Sequence, residues 1–268
     1  MSMIDPTARI EDGAVIGEGT SIGPYCIIGP EVTIGANCKL VAHVHVMGQT
    51  TIGADCKIYP FASLGAPPQI SNLHDCGRLQ IGDGCTIRES VTMNSGSPKG
   101  GGITSVGDRG YFMNCAHVGH DCHVGDNVTF ANSVALGGHV EIGDGVIFGG
   151  LAAVQQFCRV GKGAMVGGLT GVNRDIIPYA MAFGDHVELA GLNLIGLKRR
   201  GLARDTINAM RATFRMVFQA AEGGLVSDRA RAAKARFPDV PEVGEIVDFI
   251  LADAKQELCL ARRRGAAE

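Results

Sequence analysis

One aliphatic residue recurs every six positions along most of the first two thirds of the chain. At this spacing, every position from Ile10 to Leu64 is Ile, Leu or Val. The register resumes at Ile81 after one interruption and at Val106 after a second, and it then runs to Val172. A fixed period of this kind indicates a repeat protein, in which each repeat buries its apolar side against its neighbours.

Two further positions of the repeat are also restricted. Glycine usually follows the aliphatic residue, and a small or β-branched residue precedes it by two positions. Glycine therefore reaches 39 of 268 residues, while aromatic residues make up only 5%. Cysteine behaves as a small apolar residue when buried, so the six cysteines in the small position are predicted to lie in the core. These are Cys26, Cys38, Cys56, Cys85, Cys122 and Cys158.

Six residues are enough for one short strand and one corner, and glycine suits the corner. Three such units close a triangular coil of 18 residues, and stacked coils bury the aliphatic ladder. The repeat therefore predicts a parallel β-helix. It resembles the left-handed β-helix of hexapeptide-repeat proteins, which is an exception to the usual right-handed crossover. With only 10 prolines and no glycine at every third residue, collagen and low-complexity folds are excluded.

The composition changes near His186, and the pattern becomes helical. Only seven glycines lie in residues 188–268, where Ile207, Met210 and Phe214 recur at spacings of three and four. Pro238 and Pro241 separate two later segments. We predict a β-helix domain over 1–187 and a helical domain over 188–268.

Charge and hydropathy exclude several classes of partner. The formal net charge of -3 favours neither nucleic acid nor a membrane surface, so any anionic partner must meet a local basic patch. No run of 18 apolar residues is present, and the start of the chain lacks a leader pattern. We therefore expect a cytoplasmic protein with no integral membrane segment and no nucleic-acid partner.

The regular coil converts sequence separation into spatial position, because residues 18 apart lie one above the other at about 4.8 Å. His120 is then predicted below Gly138 and Gln156, and Asp121 below His139. An imidazole beside a carboxylate can act as a general base, and a backbone N–H of Gly138 could face a developing oxyanion.

Other interpretations of the histidines stay open at this point. His117 and His123 precede aliphatic positions on successive faces, so they should point outward in different directions. That arrangement leaves solvent-exposed histidines, or a zinc site shared between subunits as in hexapeptide-repeat carbonic anhydrases. A scaffold without catalytic activity would leave the polar corner and the helical tail without a role.

A short basic run stands at the junction of the two predicted domains. Lys198, Arg199 and Arg200 are consecutive, and three further arginines follow within 15 residues. A charge run is usually a solvated surface, but in an acidic chain this one could also bind phosphate or an acidic carrier protein.

Four segments together resemble the UDP-N-acetylglucosamine acyltransferases that begin lipid A synthesis, and the resemblance covers nearly the whole chain. It implies a homotrimer of parallel prisms with active sites between subunits, no cofactor, no metal, and two substrates, an acyl carrier protein thioester and a UDP-sugar. The segments are Ile87–Thr92, Asn114–Cys122, Gln156–Cys158 and Gly196–Gly201.

The resemblance also implies roles for individual residues. His120 would deprotonate the sugar 3-hydroxyl with the help of Asp121, and Gly138 would bind the oxyanion. Gly168 matches the position that limits acyl length, and its lack of a side chain predicts a long acyl chain. The implied substrate-binding residues of the cleft and of the nucleotide end are His117, His139, Gln156, Asn193, Arg199 and Arg200.

The chain departs from the family pattern near the sugar. The irregular loop 66–80 lacks the expected lysine, Asn94 stands where a histidine is usual, and Ile195 where a glutamate is usual. These differences keep a 3-amino sugar nucleotide, which would give an amide, as the alternative acceptor.

Overall fold

The computed structural model describes residues 3–73, 76–219 and 224–261. His74 and Asp75 of the predicted irregular loop, and residues 262–268 of the predicted helical domain, lie outside the described residues. The strands of the first part of the chain are short and follow the hexads. In chain order they are β1 (Met3–Ile4), β2 (Arg9–Ile10), β3 (Val15–Ile16), β4 (Ser21–Ile22), β5 (Ile27–Ile28), β6 (Thr33–Ile34), β7 (Lys39–Leu40), β8 (His45–Val46), β9 (Gln49–Ile52), β10 (Lys57–Ile58), β11 (Ser63–Ala66), β12 (Arg78–Ile81), β13 (Thr86–Ile87) and β14 (Thr92–Asn94).

The same pattern continues through the second half of this triangular coil, which we call the prism. The strands there are β15 (Ile103–Val106), β16 (Tyr111–Phe112), β17 (His117–Val118), β18 (His123–Val124), β19 (Thr129–Phe130), β20 (Ala135–Leu136), β21 (Glu141–Ile142), β22 (Ile147–Phe148), β23 (Ala153–Val154), β24 (Arg159–Val160), β25 (Met165–Val166), β26 (Gly171–Val172), β27 (Ala180–Phe183) and β28 (Glu188–Leu192).

Every third strand of the prism belongs to the same sheet, so the chain winds around three parallel sheets as predicted. Sheet 1 runs from β1 through β4 and β7 to β25, sheet 2 from β2 through β5 to β26, and sheet 3 from β3 through β6 to β24. The sequence prediction of a left-handed parallel β-helix is confirmed. The first corner joins sheet 1 to sheet 2, the second corner joins sheet 2 to sheet 3, and the third corner joins sheet 3 to sheet 1.

Paired residues in neighbouring coils are 18 apart along the regular part of the prism, as in Thr129 and Ile147. Two insertions break this spacing where the sequence register fails. Lys57 pairs with Thr86 across the first insertion, and Thr92 pairs with His117 across the second. The coil resumes after each, so both insertions project from the prism as loops at its second corner.

The interior contains the predicted ladder. From β4 onward, the first residue of each two-residue strand faces outward and the second is buried, which follows from the period-2 alternation of a strand. Phe112, Phe130 and Phe148 form a column with ring centroids 5.0 Å apart. Burial of each large apolar side chain contributes about 1.5–3 kcal/mol. All six cysteines of the small position are buried, as predicted.

The helices are α1 (Leu194–Arg199), α2 (Arg204–Phe218), α3 (Val226–Arg236) and α4 (Pro241–Leu251). Helix α2 buries Ile207, Met210 and Phe214, the residues whose spacing predicted it. Pro241 occupies the start of α4, where its missing N–H costs nothing. No helix in the described ranges combines the length and the apolar composition needed to cross a bilayer.

The prism and the helices are joined at both ends of the tail. Strand β27 pairs in parallel with β25 and antiparallel with β28, so sheet 1 continues to Leu192, beyond the predicted domain boundary at 187. After α4 the chain returns to the prism, where Leu258 bridges Asp175 and Ala261 bridges Leu189. The helical tail is therefore anchored to the coil before and after its helices.

Candidate active site

The second corner brings His120 and Asp121 into direct contact. His120 Nδ1 lies 2.7 Å from Asp121 Oδ2, and the Asp121 side chain is fully buried. A carboxylate on Nδ1 favours the tautomer in which that nitrogen carries the proton. Nε2 then has a free lone pair, so the imidazole is arranged as a general base.

The second insertion holds the Asp121 carboxylate in place. The Ser97 N–H donates to Asp121 Oδ1 at 2.8 Å, and the Ser97 hydroxyl donates to Oδ2 at 2.6 Å. The Asp121 N–H donates to Thr104 Oγ1 at 2.8 Å. Burial opposes ionisation of Asp121, but the bonds from Ser97 and His120 outweigh it, and the pKa of Asp121 lies below its ordinary value. The base therefore has an ionised, oriented partner.

Gly138 lies against the imidazole, one coil above it. A Cβ at Gly138 would come within 2.5 Å of His120 Cε1 and 2.6 Å of Nε2, so only glycine leaves room for the ring. The N–H groups of the flanking residues, Gly137 and His139, donate to backbone carbonyls, whereas that of Gly138 donates to no acceptor within the described ranges. An N–H without a partner beside a base is available to an oxyanion.

His139 and His117 flank the base, and the pKa of each lies below its ordinary value. The His139 ring is edge-on to His120 at 5.1 Å and stacks on Phe157 at 4.5 Å. Burial lowers the pKa of His139, Asp121 acts against that shift, and His120 and Lys255 reinforce it. His117 Nδ1 lies 2.8 Å from the Thr92 hydroxyl. Burial and then the nearby His120 lower the pKa of His117.

The remaining predicted residues lie at three different places. Gln156 is exposed at the second corner, in the coil above Gly138. Gly168 lies in the first corner, where a Cβ would come within 3.1 Å of a backbone oxygen of Gly150. Asn193, Arg199 and Arg200 lie at or beyond the third corner, away from the dyad within one chain.

The third-corner residues have structural contacts of their own. Asn193 caps α1, accepting from the Gly196 N–H at 2.9 Å and donating to the Gly163 carbonyl at 3.2 Å. Arg200 donates to the Gly145 carbonyl at 2.9 Å, while Arg199 is exposed. Within the described part of the chain the structure therefore groups His120, Asp121, Gly138, His139 and Gln156, and it does not bring the basic run to them.

The three histidines between residues 117 and 123 lie at separate places on the prism. His117 and His123 lie on sheets 2 and 3 and bond to Thr92 and Ser105, so the three histidines of that segment do not converge. Ligand atoms of His120, Asp121 and His139 do lie within 4.8 Å of one another. Two atoms that share a tetrahedral zinc ion stand about 3.3 Å apart, given bonds of about 2.0–2.1 Å. The 2.7 Å between His120 Nδ1 and Asp121 Oδ2 fits a shared proton instead.

Comparison with known proteins identifies the family. A family described as Udp N-acetylglucosamine O-acyltransferase, Domain 2, matches residues 175–259, and one described as Bacterial transferase hexapeptide (six repeats) matches residues 13–48. The acyl-[acyl-carrier-protein]--UDP-N-acetylglucosamine O-acyltransferase of Brucella ovis is 48% identical over 96% of this chain and 92% of its own length. The chain belongs to the UDP-N-acetylglucosamine O-acyltransferase family.

Solved structures of the family agree with the whole of this fold. The UDP-N-acetylglucosamine O-acyltransferase of Moraxella catarrhalis has a TM-score of 0.91 and 38% identity, covering 95% of this chain and 98% of its own. The Arabidopsis UDP-N-acetylglucosamine acyltransferase has a TM-score of 0.84 and 30% identity, covering 96% and 100%. The match to acyltransferases thus includes both the prism and the helical tail.

Sequence reasoning missed the supports of the dyad in this family member. Ser97 and Gly100 belong to the interruption of the repeat, which predicted only a loop. In the structure that loop covers Asp121, and a side chain at Gly100 would overlap the carboxylate. The position of the insertion could have indicated this support, because the insertion directly precedes the coil that contains His120.

Proposed function

We propose that the chain transfers a 3-hydroxyacyl group from acyl carrier protein to the 3-hydroxyl of UDP-N-acetylglucosamine, the first step of lipid A synthesis. The observation that carries this proposal is the buried Asp121 carboxylate bound to His120 next to the unused N–H of Gly138. The names of the relatives support the same donor and acceptor. The reaction balances without a cofactor.

The steps follow from the positions of these groups. His120 Nε2 removes the proton of the sugar 3-hydroxyl, and the oxygen attacks the thioester carbonyl carbon. The Gly138 N–H donates to the oxyanion of the tetrahedral intermediate. When the intermediate collapses, the C–S bond breaks, the new ester C–O bond remains, and the imidazolium returns its proton to the departing carrier thiolate. Asp121 stabilises the imidazolium between the two proton transfers.

The two groups account for a substantial rate enhancement. A positioned general base contributes about 10²–10⁴-fold, and one oxyanion donor about 10²–10³-fold. A neutral imidazole at His139 suits this chemistry, because a cation there would compete with His120 for the Asp121 carboxylate. We assign His117, His139 and Gln156 to the sugar and acyl cleft.

A homotrimer would complete the site. The first corner presents a column of exposed apolar side chains, which includes Tyr25, Phe61, Leu151 and Leu169. Tyr25 stacks on His43, and His43 stacks on Phe61, at 5.0 and 5.2 Å. An exposed apolar stripe along a prism favours burial against other copies of the chain. Asn193, Arg199 and Arg200 of a neighbouring subunit would then hold the nucleotide end in the cleft.

The acyl group would extend towards the first corner. Gly168 offers no side chain there, so the groove is proposed to accept a long 3-hydroxyacyl chain. A larger residue at this position would shorten the groove and with it the preferred chain. We also propose a cytoplasmic location, because a reducing compartment suits a chain with nine cysteine thiols.

Mass spectrometry of the products tests the proposed function. The purified protein is offered UDP-N-acetylglucosamine and its 3-amino analogue with a series of 3-hydroxyacyl carrier proteins. We expect an ester of the natural sugar nucleotide, formed fastest with long chains and equally well after chelation of metals. Acylation of the amine alone would identify the alternative acceptor. Loss of turnover on chelation, with stoichiometric zinc in the purified protein, would favour a metal enzyme instead.

A further inference from the structure

The segment that follows α4 returns to the second corner and contacts the candidate site. We call residues 252–261 the return segment. Gln256 Nε2 donates to the Gln156 carbonyl at 3.0 Å. Further along, the Asp175 N–H donates to the Glu257 carbonyl and the Cys259 N–H to the Asp175 carbonyl, both at 2.8 Å. These bonds hold the chain directly after Lys255 against the prism, so the position of Lys255 is set by the fold.

Lys255 begins a column of side chains that ends at the base. Its Nζ lies 4.4 Å from the centroid of the Phe157 ring. Phe157 stacks on His139 with an angle of 12° between the rings, and His139 is edge-on to His120. The Lys255 ammonium group is attracted to the Phe157 ring, and the His139 imidazole stacks on that same ring, so these contacts restrain all three side chains. Lys255, near the end of the chain, thereby contacts the aromatic ring on which His139 stacks.

The position of His139 matters because Asp121 has two imidazoles within reach. Asp121 Oδ2 lies 2.7 Å from His120 Nδ1 and 3.7 Å from His139 Nε2. If His139 carried a proton, its positive charge would draw the carboxylate towards it. The dyad would then lose part of the hydrogen bond that orients His120.

The charges around His139 come from several elements. Asp121 favours its cationic form, whereas His120, Lys255 and His123 disfavour it. A cavity of about 250 Å³ adjoins the ring, and its remaining charged lining residues are Glu141, Arg159 and Asp253. Arg159 is paired with the buried Asp175, at 2.7 Å between Nε and Oδ2. Among the lysine and arginine side chains of this lining, Lys255 is therefore the one whose charge lowers the pKa of His139.

We propose that Lys255 is a positioning residue for the dyad. By holding Phe157 on His139 and adding a positive charge there, it prevents His139 from taking Asp121 away from His120. This inference deepens the proposed function, and only its kinetic test rests on that function. Lys255 touches no reacting atom in this role, so its removal slows the reaction without abolishing it.

The test compares Lys255→Gln and Lys255→Arg with the unmodified full-length protein. The side-chain titration of His139 is followed by NMR on histidine-labelled protein, with a His139→Gln variant to assign the signal. Lys39→Gln is the matched control, because Lys39 is exposed on sheet 1 near the opposite end of the prism. Lys255 itself is exposed, so neither substitution removes a core contact.

In Lys255→Gln we expect the His139 midpoint to rise by a few tenths of a pH unit, the order expected for one unit charge at this range. Because that shift changes the neutral fraction of His139 by less than about twofold, kcat should fall by a larger factor at pH 6 than at pH 8, with the two factors differing by less than about twofold and KM unchanged. Lys255→Arg should restore both values, and Lys39→Gln should match the unmodified protein.

An unchanged or lowered His139 midpoint in Lys255→Gln would overturn the inference. So would a failure of Lys255→Arg to restore the midpoint. The titration needs no acyl transfer, so a normal result there with no turnover in any variant would refute the proposed function and leave this inference standing.

Discussion

Replacing Ser97 with alanine removes one of the two hydrogen bonds that this residue donates to the Asp121 carboxylate. The lost bond is the hydroxyl to Oδ2, at 2.6 Å, while the backbone N–H to Oδ1 is kept. Ser97 is only 2% exposed, so water has little access to take over the vacated position. A hydrogen bond to a charged buried group is worth about 1.5–3 kcal/mol, and we expect a loss of about 2 kcal/mol in the free energy of unfolding.

The loss should depend on pH with a defined sign. The folded-state pKa of Asp121 is lowered, with Ser97 the largest of the causes that lower it. Stability from such a group is present above the unfolded pKa of about 3.9 and disappears as pH falls through the lower folded value. Ser97→Ala should therefore be less stable than the unmodified protein at pH 7, and the difference should shrink towards pH 3.

Denaturant unfolding at several pH values and steady-state kinetics measure the two consequences. Loss of orientation of the dyad should lower kcat about 10–100-fold, the scale for a misplacement of about 1 Å. Ser105→Ala is the matched control, because the Ser105 hydroxyl bonds only to His123 at the surface. The free energy of unfolding of Ser105→Ala should differ from that of the unmodified protein by no more than about 0.5 kcal/mol. A Ser97→Ala protein with unchanged stability and unchanged kcat at pH 7 would refute the role of this serine.

Three further predictions concern the packing and charge of the site and the stability of the helical tail. In Gly138→Ala the new methyl displaces the His120 ring, so kcat should fall about 10²-fold in the transfer assay. Gly244 lies in α4, and a Cβ added there would meet no atom within 4 Å beyond the backbone of the helix itself. Gly244→Ala should therefore raise the free energy of unfolding by about 0.5–1 kcal/mol and leave the activity unchanged. Because the folded-state pKa values of His117 and His139 are lowered, the unfolded chain binds more protons near pH 6. The melting temperature should therefore fall between pH 7.5 and pH 5.5, and a rise would contradict those environments.

The regular part of the molecule could be predicted from the sequence because its repeat is strict. Ile10 and Leu64 are joined by unbroken steps of six, and each side chain in this series lies in the core or packs against it, so the register leaves one compatible coil. The same arithmetic placed His120 below Gly138, and the structure confirms the contact. Even the burial of cysteines such as Cys122 followed from their position in the hexad.

The supports of the site could not be predicted, because they come from segments without that period. Ser97 reaches Asp121 from an insertion whose path the register does not describe. Lys255 approaches Phe157 from a position about 100 residues later, after four helices whose packing sets its place. Arg159 and Asp175 pair where the coil ends, so no stacking rule related them. The six-residue period determines the prism, whereas tertiary contacts from segments outside that period determine how His120 is held.

The most direct test of the central claim is the acyl-transfer rate of His120→Ala, measured by mass spectrometry with the carrier thioester and UDP-N-acetylglucosamine. Size-exclusion chromatography run in parallel shows whether the oligomeric state is kept. The account predicts that kcat falls by about 10²–10⁴-fold while the oligomeric state is unchanged, because only the base is lost. A variant that keeps its oligomeric state and transfers acyl groups within a few-fold of the unmodified rate would contradict the account.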